Sequence, residues 1–357
     1  MKIAIDISQI IYGTGVSSYT ENLVRNLLKI DKENEYILFG GSLRRKKELG
    51  TRARELGGNP SIQIFQYPPT LADLVWNKFH VFPIEKLIGS VDILHTSDWS
   101  EPPSKAFKVT TVHDLYPFKF PRLIHPKVLE THKRKMTWVL KESQRVLVPS
   151  NATKEDLVGL GMHEEKIRVI HEAPSLEKTS QEKVDEVKKT YNLQGDYLIS
   201  IGITKLKNTE NIVKAFHLGS AGKDVKLVLV GRPVGVEIQE ARNLRILGHV
   251  PKDDLAALLT GSRGLVFPSL YEGFGIPILD AFNCEVPVLT SNISSMKEVA
   301  GDATELVDPY NPSSISEGIE KILRGPKGFV EKGLIRVKDF SWEKTAEETL
   351  KVYKEYK

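Results

Sequence analysis

Short apolar runs alternate with longer helical patterns along almost the whole chain of 357 residues. Runs rich in Val, Ile and Leu are typical of strands that helices bury on both faces, which indicates parallel sheets. In the first half the pattern predicts strands at Ile3–Ile7, Tyr36–Phe39, Ile62–Phe65, Ile93–His95, Val109–Val112, Val146–Val148 and Arg168–Ile170. In the second half it predicts strands at Tyr197–Ile201, Lys226–Val230, Leu244–Leu247, Leu265–Phe267, Val286–Leu289 and Glu305–Val307.

The alternation stops in a polar segment, residues 172–180, and begins again near residue 195, which predicts a linker. We therefore predict an α/β chain with two doubly wound, Rossmann-like domains, residues 1–173 and 174–340, facing each other across a cleft. The remaining segment, 341–357, predicts a helix that begins at about Trp342, with Ser341 as its N-cap.

Composition excludes several classes of protein. Hydrophobic residues make up 40% of the chain, and no apolar stretch is long enough to span a bilayer. Asp6 interrupts the first apolar run, so we expect a buried strand there and not a signal peptide.

The single cysteine, Cys284, excludes an intrachain disulfide and fits a reducing, cytoplasmic compartment; we predict that it is a core residue. The nine histidines show no metal-ligand spacing, and Asp-x-Asp is absent, so we predict no metal site and no cofactor.

The net charge is only +4, but basic residues are dense in one segment of the first half. That cluster consists of Arg44, Arg45, Lys46, Lys47, Arg52 and Arg54. It indicates either a solvated helix face or a contact with an anionic surface at the inner face of a membrane. We predict no nucleic-acid partner, because no aromatic residues interleave the cluster and no nucleic-acid motif is present.

One strand–loop–helix segment carries most of the functional signal. The predicted strand ending at Phe267 is followed by a loop with Glu272 and two glycines, and a helix then begins near Pro277. Glycines let a backbone approach a ligand closely, and the N–H groups of a helix start, here around Phe274, Gly275 and Ile276, suit an anion such as a diphosphate. Glu272 and Asp280 are placed so that both carboxylates face one ligand. The segment predicts a sugar-nucleotide site; the simpler alternative is an ordinary turn.

The same segment resembles the signature of family-four retaining glycosyltransferases, which have the GT-B fold. Their pattern is two glutamates separated by seven residues, with Gly-Phe-Gly after the first. The resemblance implies that Glu272 contacts the donor sugar and Asp280 the ribose. Asp280 departs from the pattern, because aspartate is one methylene shorter than glutamate.

Two further positions in the first half match the family in short motifs. Gly15 lies in a glycine-rich turn at a predicted helix start, which can place amides on a phosphate or only form a turn. It resembles the family's first glycine loop, which touches donor phosphate or acceptor. His113 follows a strand and can bond a sugar hydroxyl or be satisfied by Asp114. It is similar to the family histidine beside the donor sugar, so we predict a catalytic role.

Two loops of the second half match the family as well. Lys207 lies at a predicted helix start, where a lysine binds phosphate as a point charge. The family places an arginine and a lysine in this loop; Lys207 matches the lysine, and Lys205 is the substitute for the arginine. His249 and Val250 resemble the family segment whose backbone binds the nucleobase. A solvated side chain is the alternative for both lysines.

Taken together, the resemblance implies a metal-independent, retaining hexosyltransferase that uses a nucleoside-diphosphate sugar. The first domain would bind a saccharide or lipid-linked acceptor, the second would bind the donor, and the terminal helix would cross back to the first. Similarity to bacterial mannosyltransferases makes GDP-mannose the first expectation, with a UDP-sugar as the other. Two alternatives stay open: a GT-B nucleotide-sugar epimerase, and a catalytically silent subunit that binds sugar nucleotides.

Overall fold

The computed structural model describes residues 1–97, 99–219, 225–325 and 328–356. The chain divides into two compact units. Unit 1 comprises Met1–Glu172 together with Ser341–Lys357, and unit 2 comprises Ala173–Phe340. Residues 172–180, where the sequence predicted a linker, contain no helix or strand.

Unit 1 is built on a seven-stranded parallel sheet with the order β3-β2-β1-β4-β5-β6-β7. The strands are β1 (Lys2–Asp6), β2 (Glu35–Gly41), β3 (Ser61–Phe65), β4 (Ile93–Ser97), β5 (Phe107–Thr111), β6 (Arg145–Val148) and β7 (Ile167–Val169). The helices are α1 (Gly15–Ile30), α2 (Lys46–Glu55), α3 (Pro69–Ala72), α4 (Glu85–Ile88), α5 (Tyr116–Lys119), α6 (Pro126–Glu142) and α7 (Asn151–Gly159). A π-helix, Asp73–Lys78, continues α3, and short 3-10 helices lie at Ser8–Ile11, Pro121–Leu123 and Glu164–Lys166.

Both faces of this sheet are buried. Ile3 and Ile5 of β1 pack with Leu27 of α1, whereas Ala4 between them packs with Ile84 in a different cluster. Successive strand residues point to opposite faces, so an uninterrupted apolar run fills two cores at once.

Unit 2 repeats the architecture with six parallel strands in the order β10-β9-β8-β11-β12-β13. These are β8 (Tyr197–Thr204), β9 (Lys226–Val234), β10 (Leu244–Ile246), β11 (Leu265–Phe267), β12 (Val288–Ser291) and β13 (Glu305–Val307). The helices are α8 (Gln181–Thr190), α9 (Thr209–Leu218), α10 (Lys252–Thr260), α11 (Ile276–Asn283), α12 (Ser294–Ala300), α13 (Pro312–Leu323) and α14 (Phe329–Arg336), with a 3-10 helix at Val337–Asp339. One core cluster joins strand residues such as Leu198 and Val266 to Phe216 and Ile319 of the helices.

The last helix, α15 (Trp342–Tyr353), belongs to unit 1 and packs on α1. The Ser341 side chain accepts a hydrogen bond from the Lys344 amide, as the predicted N-cap should. Beyond the helix, the Glu355 carboxylate binds Arg145 and lies 2.8 Å from the Arg168 guanidinium, so the end of the chain is held on β6 and β7.

Each strand predicted from the sequence is present. Most bounds shift by one to three residues, and β12 begins two residues later than predicted. Cys284 is buried, which confirms its prediction as a core residue. Within the described part of the chain, no helix is both long and apolar enough to cross a membrane.

Candidate functional site

The loop between β11 and α11 lies at the carboxyl edge of the unit 2 sheet and is held in a defined conformation. Gly275 precedes α11 with φ +117°, a left-handed conformation that a side chain would strain. Pro277 lies in the first turn of the helix, where its missing N–H is not needed. The hydroxyl of Ser295, at the start of α12, donates to the Glu272 carbonyl at 2.8 Å and so fixes the loop from the other side.

The neighbouring loop, between β8 and α9, is held equally firmly. The Lys207 amide donates to the Thr204 hydroxyl at 3.1 Å. Asn208 adopts a left-handed conformation with φ +61° and is buried. Its amide group donates to the carbonyl oxygens of Pro268 at 3.0 Å and Pro309 at 2.6 Å. One side chain therefore ties together three loops that follow β8, β11 and β13.

These two loops bring the two strongest candidates from the sequence into contact. Lys207 Nζ lies 2.6 Å from Glu272 Oε1, with the side chains 28% and 15% exposed. The ammonium group also lies 4.9 Å from the centre of the Phe267 ring. Gly202, at φ +88°, makes room for this arrangement, because a Cβ there would lie 2.9 Å from Lys207 Cγ. The sequence analysis missed the part played by Gly202; its only signal was a glycine directly after the predicted strand Tyr197–Ile201.

Asp280 does not lie as the sequence suggested. We expected its carboxylate to face the same ligand as Glu272, but the side chain is buried. Its Oδ1 accepts the backbone N–H groups of Ser175 at 2.6 Å and Leu176 at 2.8 Å. Burial raises the pKa of this carboxyl from 3.8 to about 7, although the two amides act in the opposite direction. Two backbone amides of the protein thus occupy one oxygen of the carboxylate that the sequence analysis assigned to the ribose.

The other donor-site candidates of unit 2 offer mainly backbone groups. His249 is exposed and Val250 is buried, and Gly248 before them has φ +62°. The Gly231 amide donates to the Gly248 carbonyl at 2.7 Å, which fixes the turn. Lys205 is exposed, and its carbonyl accepts the Asn208 amide.

In unit 1, His113 follows β5 and has partners on several elements. Its Nε2 lies 2.9 Å from the Ser97 hydroxyl at the end of β4, and its Nδ1 lies 3.5 Å from Glu172 Oε1. The Tyr19 ring of α1 meets the imidazole edge-on, with ring centres 4.7 Å apart. The sequence analysis missed Ser97 and Glu172; the signal was their position, Ser97 at the end of β4 and Glu172 just beyond β7, at the same edge of the sheet.

A cavity of about 160 Å³ lies beside His113. Its lining includes Tyr116, His132, Lys135 and Met136, so it is walled by both polar and apolar groups. Burial lowers the pKa of His132 from 6.5 to about 4, which keeps that ring neutral at physiological pH.

Gly15 begins α1 and is exposed. Thr14 and Ser17, on either side of Gly15, form a capping box. The Thr14 hydroxyl accepts a hydrogen bond from the Ser17 amide, and the Ser17 hydroxyl accepts one from the Thr14 amide. The long helix α1 therefore starts in a fixed geometry with Gly15 at its first position.

The basic cluster comprises Arg44 and Arg45, which precede α2, and four residues of α2, and two of its six members bind other groups of the protein. Arg45 forms a two-pronged ion pair with Glu48. Arg52 donates to the Ile10 carbonyl at 2.7 Å and to Glu21 Oε1 at 3.0 Å. The other members of the cluster are exposed: Arg44, Lys46, Lys47 and Arg54. In the described residues, no group of three or more His, Cys, Asp or Glu side chains is placed to hold a metal ion.

Comparison with known families identifies the chain. A family model described as "Glycosyltransferase Family 4" matches residues 13–177, and one described as "Glycosyl transferases group 1" matches residues 182–333. The two matches together take in most of the chain and contain every candidate residue described above. The chain belongs to glycosyltransferase family 4.

Relatives of this family-4 protein include bacterial mannosyltransferases. It is 43% identical over 114 residues to O-antigen chain mannosyltransferase B of Escherichia coli, a match that covers 31% of this chain and 30% of that protein. An uncharacterised glycosyltransferase of Methanocaldococcus jannaschii is 24% identical over 324 residues, which cover 79% of this chain and 81% of that protein. The chain spans less than a third of the length of the E. coli mannosyltransferases that it matches.

Solved structures establish the fold. Anabaena HepE, crystallised with UDP and glucose, superposes with a TM-score of 0.72 at 14% identity, over 99% of this chain and 100% of that one. The prediction of two Rossmann-like α/β domains of the GT-B type is confirmed.

Proposed function

We propose that this family-4 protein is a hexosyltransferase that takes its sugar from a nucleoside-diphosphate donor. The observation that carries the proposal is the pairing of Lys207 with Glu272 at 2.6 Å, beside the glycine-led start of α11. A diphosphate needs a positive charge and backbone N–H donors, and a sugar needs a hydrogen-bond acceptor for its hydroxyl groups. The two loops supply all three at one edge of the sheet. Lys205, His249 and Val250 stay predictions for the remaining donor contacts.

The reaction breaks the bond between the sugar's anomeric carbon and the diphosphate oxygen. An acceptor oxygen forms the new bond, and its proton leaves with the diphosphate. Lys207 and the amides of Phe274, Gly275 and Ile276 would stabilise the negative charge on the leaving group. Glu272 would hold the sugar through its hydroxyls. The family resemblance supports attack from the leaving-group side, with retention of configuration.

The acceptor side of the proposal rests on unit 1. We assign a saccharide or lipid-linked acceptor to this unit, where the cavity beside His113 offers polar and apolar walls. His113 is proposed to bond a hydroxyl of the reacting sugar, and Gly15 to contact donor phosphate or acceptor. Both roles derive from the family motifs.

For the donor, GDP-mannose is the first candidate, because the matched E. coli relatives are mannosyltransferases. A UDP-sugar is the second, because HepE was crystallised with UDP and glucose. Incubation of the purified chain with each donor and a saccharide mixture tests the assignment. Transfer of label, or slow hydrolysis of the donor, supports the proposal. Formation of an epimer of the donor would instead identify an epimerase, and binding without turnover would identify a silent subunit.

Metal independence and stereochemistry need their own measurements. Lys207 and the start of α11 supply positive charge where other enzymes use a cation, so transfer should survive EDTA. Loss of activity on chelation, with recovery on adding Mg²⁺ or Mn²⁺, would contradict this. Proton coupling constants of the isolated product report the anomeric configuration, and inversion would rule out the proposed course.

We propose a cytoplasmic location with contact to an anionic membrane through α2. The exposed members Arg44, Lys46, Lys47 and Arg54 support it, since basic residues near such a surface contribute about 1 kcal/mol each. Replacing these four residues by glutamine should weaken sedimentation with anionic vesicles. Unchanged sedimentation would leave the cluster as ordinary surface.

A further inference from the structure

A second surface of unit 1 exposes apolar side chains in one short segment. It consists of Leu71, Leu74, Phe79, Val81 and Phe82, and we call it the 71–82 patch. Phe79 is 59% exposed and Val81 is 54% exposed. Single apolar residues on a protein surface need no explanation, but several together mark a binding surface.

The chain holds the tip of this patch in a strained conformation. His80 has φ +51° and Phe82 has φ +64°, values that bulky residues rarely adopt. Trp76 Nε1 donates to the Phe82 carbonyl at 3.1 Å. The His80 ring lies 2.7 Å from the Trp76 carbonyl and 2.9 Å from Glu142 Oε1, and it stacks on Trp138 at 3.6 Å. A turn that is over-determined in this way, yet presents apolar groups to water, indicates a function at that place.

Lysines accompany the exposed rings. Lys78 Nζ lies 5.5 Å from the centre of the Phe79 ring, and Lys86 Nζ lies 5.5 Å from the centre of the Phe82 ring. Both lysines are exposed. Their amino groups can therefore reach beyond the rings toward an anionic surface while their stems cover apolar area.

The neighbouring acids are bound locally. Asp73 pairs with Arg134 at 2.5 Å, and Glu85 accepts the Ser104 hydroxyl at 2.6 Å. Glu142 binds the buried ammonium group of β5 at 2.9 Å as well as the histidine of the turn. The charge that this surface offers to a partner is thus positive, which matches an anionic surface.

We propose that the 71–82 patch docks the protein on an anionic lipid bilayer. Phe79, Val81 and Phe82 enter the boundary between headgroups and acyl chains, and Lys78 and Lys86 meet lipid phosphates. This surface is distinct from α2, and the proposal does not rest on the transfer reaction. Binding to lipid can therefore be measured without any donor or acceptor.

Sedimentation with vesicles tests the proposal on the full chain. The double variant Phe79→Ser/Val81→Ser removes the two most exposed side chains of the patch without touching a core. It should lower the partition coefficient for vesicles of phosphatidylcholine and phosphatidylglycerol by about tenfold or more. The matched control Val234→Ser/Ile335→Ser removes two side chains of unit 2 that are 65% and 68% exposed, and it should bind like the unchanged chain. Circular dichroism and thermal unfolding confirm that both variants are folded.

The lysines give an independent measurement. Lys78→Glu/Lys86→Glu should reduce the preference for anionic vesicles over pure phosphatidylcholine, also when Arg44, Lys46, Lys47 and Arg54 have all been replaced by glutamine. The proposal is overturned if the unchanged chain does not bind anionic vesicles, or if Phe79→Ser/Val81→Ser binds as well as the unchanged chain. Equal losses in the patch variant and the unit 2 control would overturn it too. So would a lower oligomeric mass of the patch variant without lipid, because that result assigns the patch to a protein interface.

Discussion

Replacing Glu272 by alanine should separate donor binding from sugar transfer. In the free protein, Glu272 Oε1 lies 2.6 Å from Lys207 Nζ, so the carboxylate competes with any phosphate for the same ammonium group. Glu272→Ala removes that competitor and also the proposed sugar contact. We therefore expect affinity for the free nucleoside diphosphate to be unchanged or higher, while sugar transfer collapses.

The size of both effects follows from the geometry. Two unit charges 2.6 Å apart attract by about 6 kcal/mol before solvation at an effective dielectric constant of about 20. Because the two side chains are 28% and 15% exposed, solvent and the cost of desolvation reduce the net value to about 1 kcal/mol. Losing the competitor thus strengthens diphosphate binding by at most about fivefold. Losing a hydrogen bond to the reacting sugar costs on the order of 10²–10³-fold in rate.

Isothermal titration with GDP and UDP measures the first quantity, and turnover at saturating donor measures the second. Glu272→Gln is the matched control, since it keeps the shape and removes the charge. Binding gains should shrink at high salt, which screens Lys207. The reasoning is refuted if Glu272→Ala weakens diphosphate binding severalfold while transfer stays near normal. That outcome would mean that Glu272 serves only to position Lys207.

Substitutions at three further positions probe the supports of this site. Gly202→Ala places a Cβ 2.9 Å from Lys207 Cγ at φ +88°, so the donor's Michaelis constant should rise and the free energy of unfolding should fall by about 1–3 kcal/mol in denaturant titrations. Asp280 binds a proton more tightly when folded, with a pKa of about 7 against 3.8, so stability should fall as the pH rises from 4 to 7, by up to about 4 kcal/mol. Denaturation of Asp280→Asn at several pH values should lack that slope, and an unchanged slope would assign it elsewhere. Asn208→Gly keeps the left-handed backbone but loses two bonds to carbonyl groups, so it should cost about 1–3 kcal/mol in thermal unfolding, and Asn208→Ala should cost more.

The strands were predictable because a strand that is buried on both faces consists of consecutive apolar residues. β11 and β13 have the bounds that the pattern predicted. The predicted start of β12, at Val286, was wrong for a local reason. The Val286 amide bonds back to the Ala281 carbonyl at the end of α11, and Pro287 has no N–H, so the strand begins at Val288. Two polar residues, Thr290 and Ser291, extend the strand instead, which hydropathy could not show.

The candidate site was predictable in chemistry but not in pairing. Lys207 and Glu272 were chosen because each follows a strand, a property of local sequence. Their contact spans 65 positions and depends on the shapes of two loops, which no spacing encodes. The contacts of Asp280 could not be predicted, for the opposite reason. Its spacing matches the family, but the backbone N–H groups of half-buried Ser175 and buried Leu176 need acceptors, and the Asp280 carboxylate accepts a hydrogen bond from each.

The difference between local motifs and contacts of distant residues also explains why the sequence of unit 1 showed fewer candidate site residues. His113 is supported by groups that lie far apart in the chain. The Tyr353 hydroxyl lies 2.6 Å from His95 Nδ1, His95 Nε2 lies 2.8 Å from the Thr111 hydroxyl, and that hydroxyl lies 3.4 Å from the hydroxyl of Tyr19, whose ring meets His113. Burial lowers the pKa of His95 to about 3, so the ring stays neutral and can both donate and accept in this row. The terminal helix therefore belongs to the support of the candidate histidine, although no motif connects the two. A short motif identifies a loop that binds a common ligand such as a diphosphate, whereas a side chain positioned by long-range packing leaves only isolated residues in the sequence.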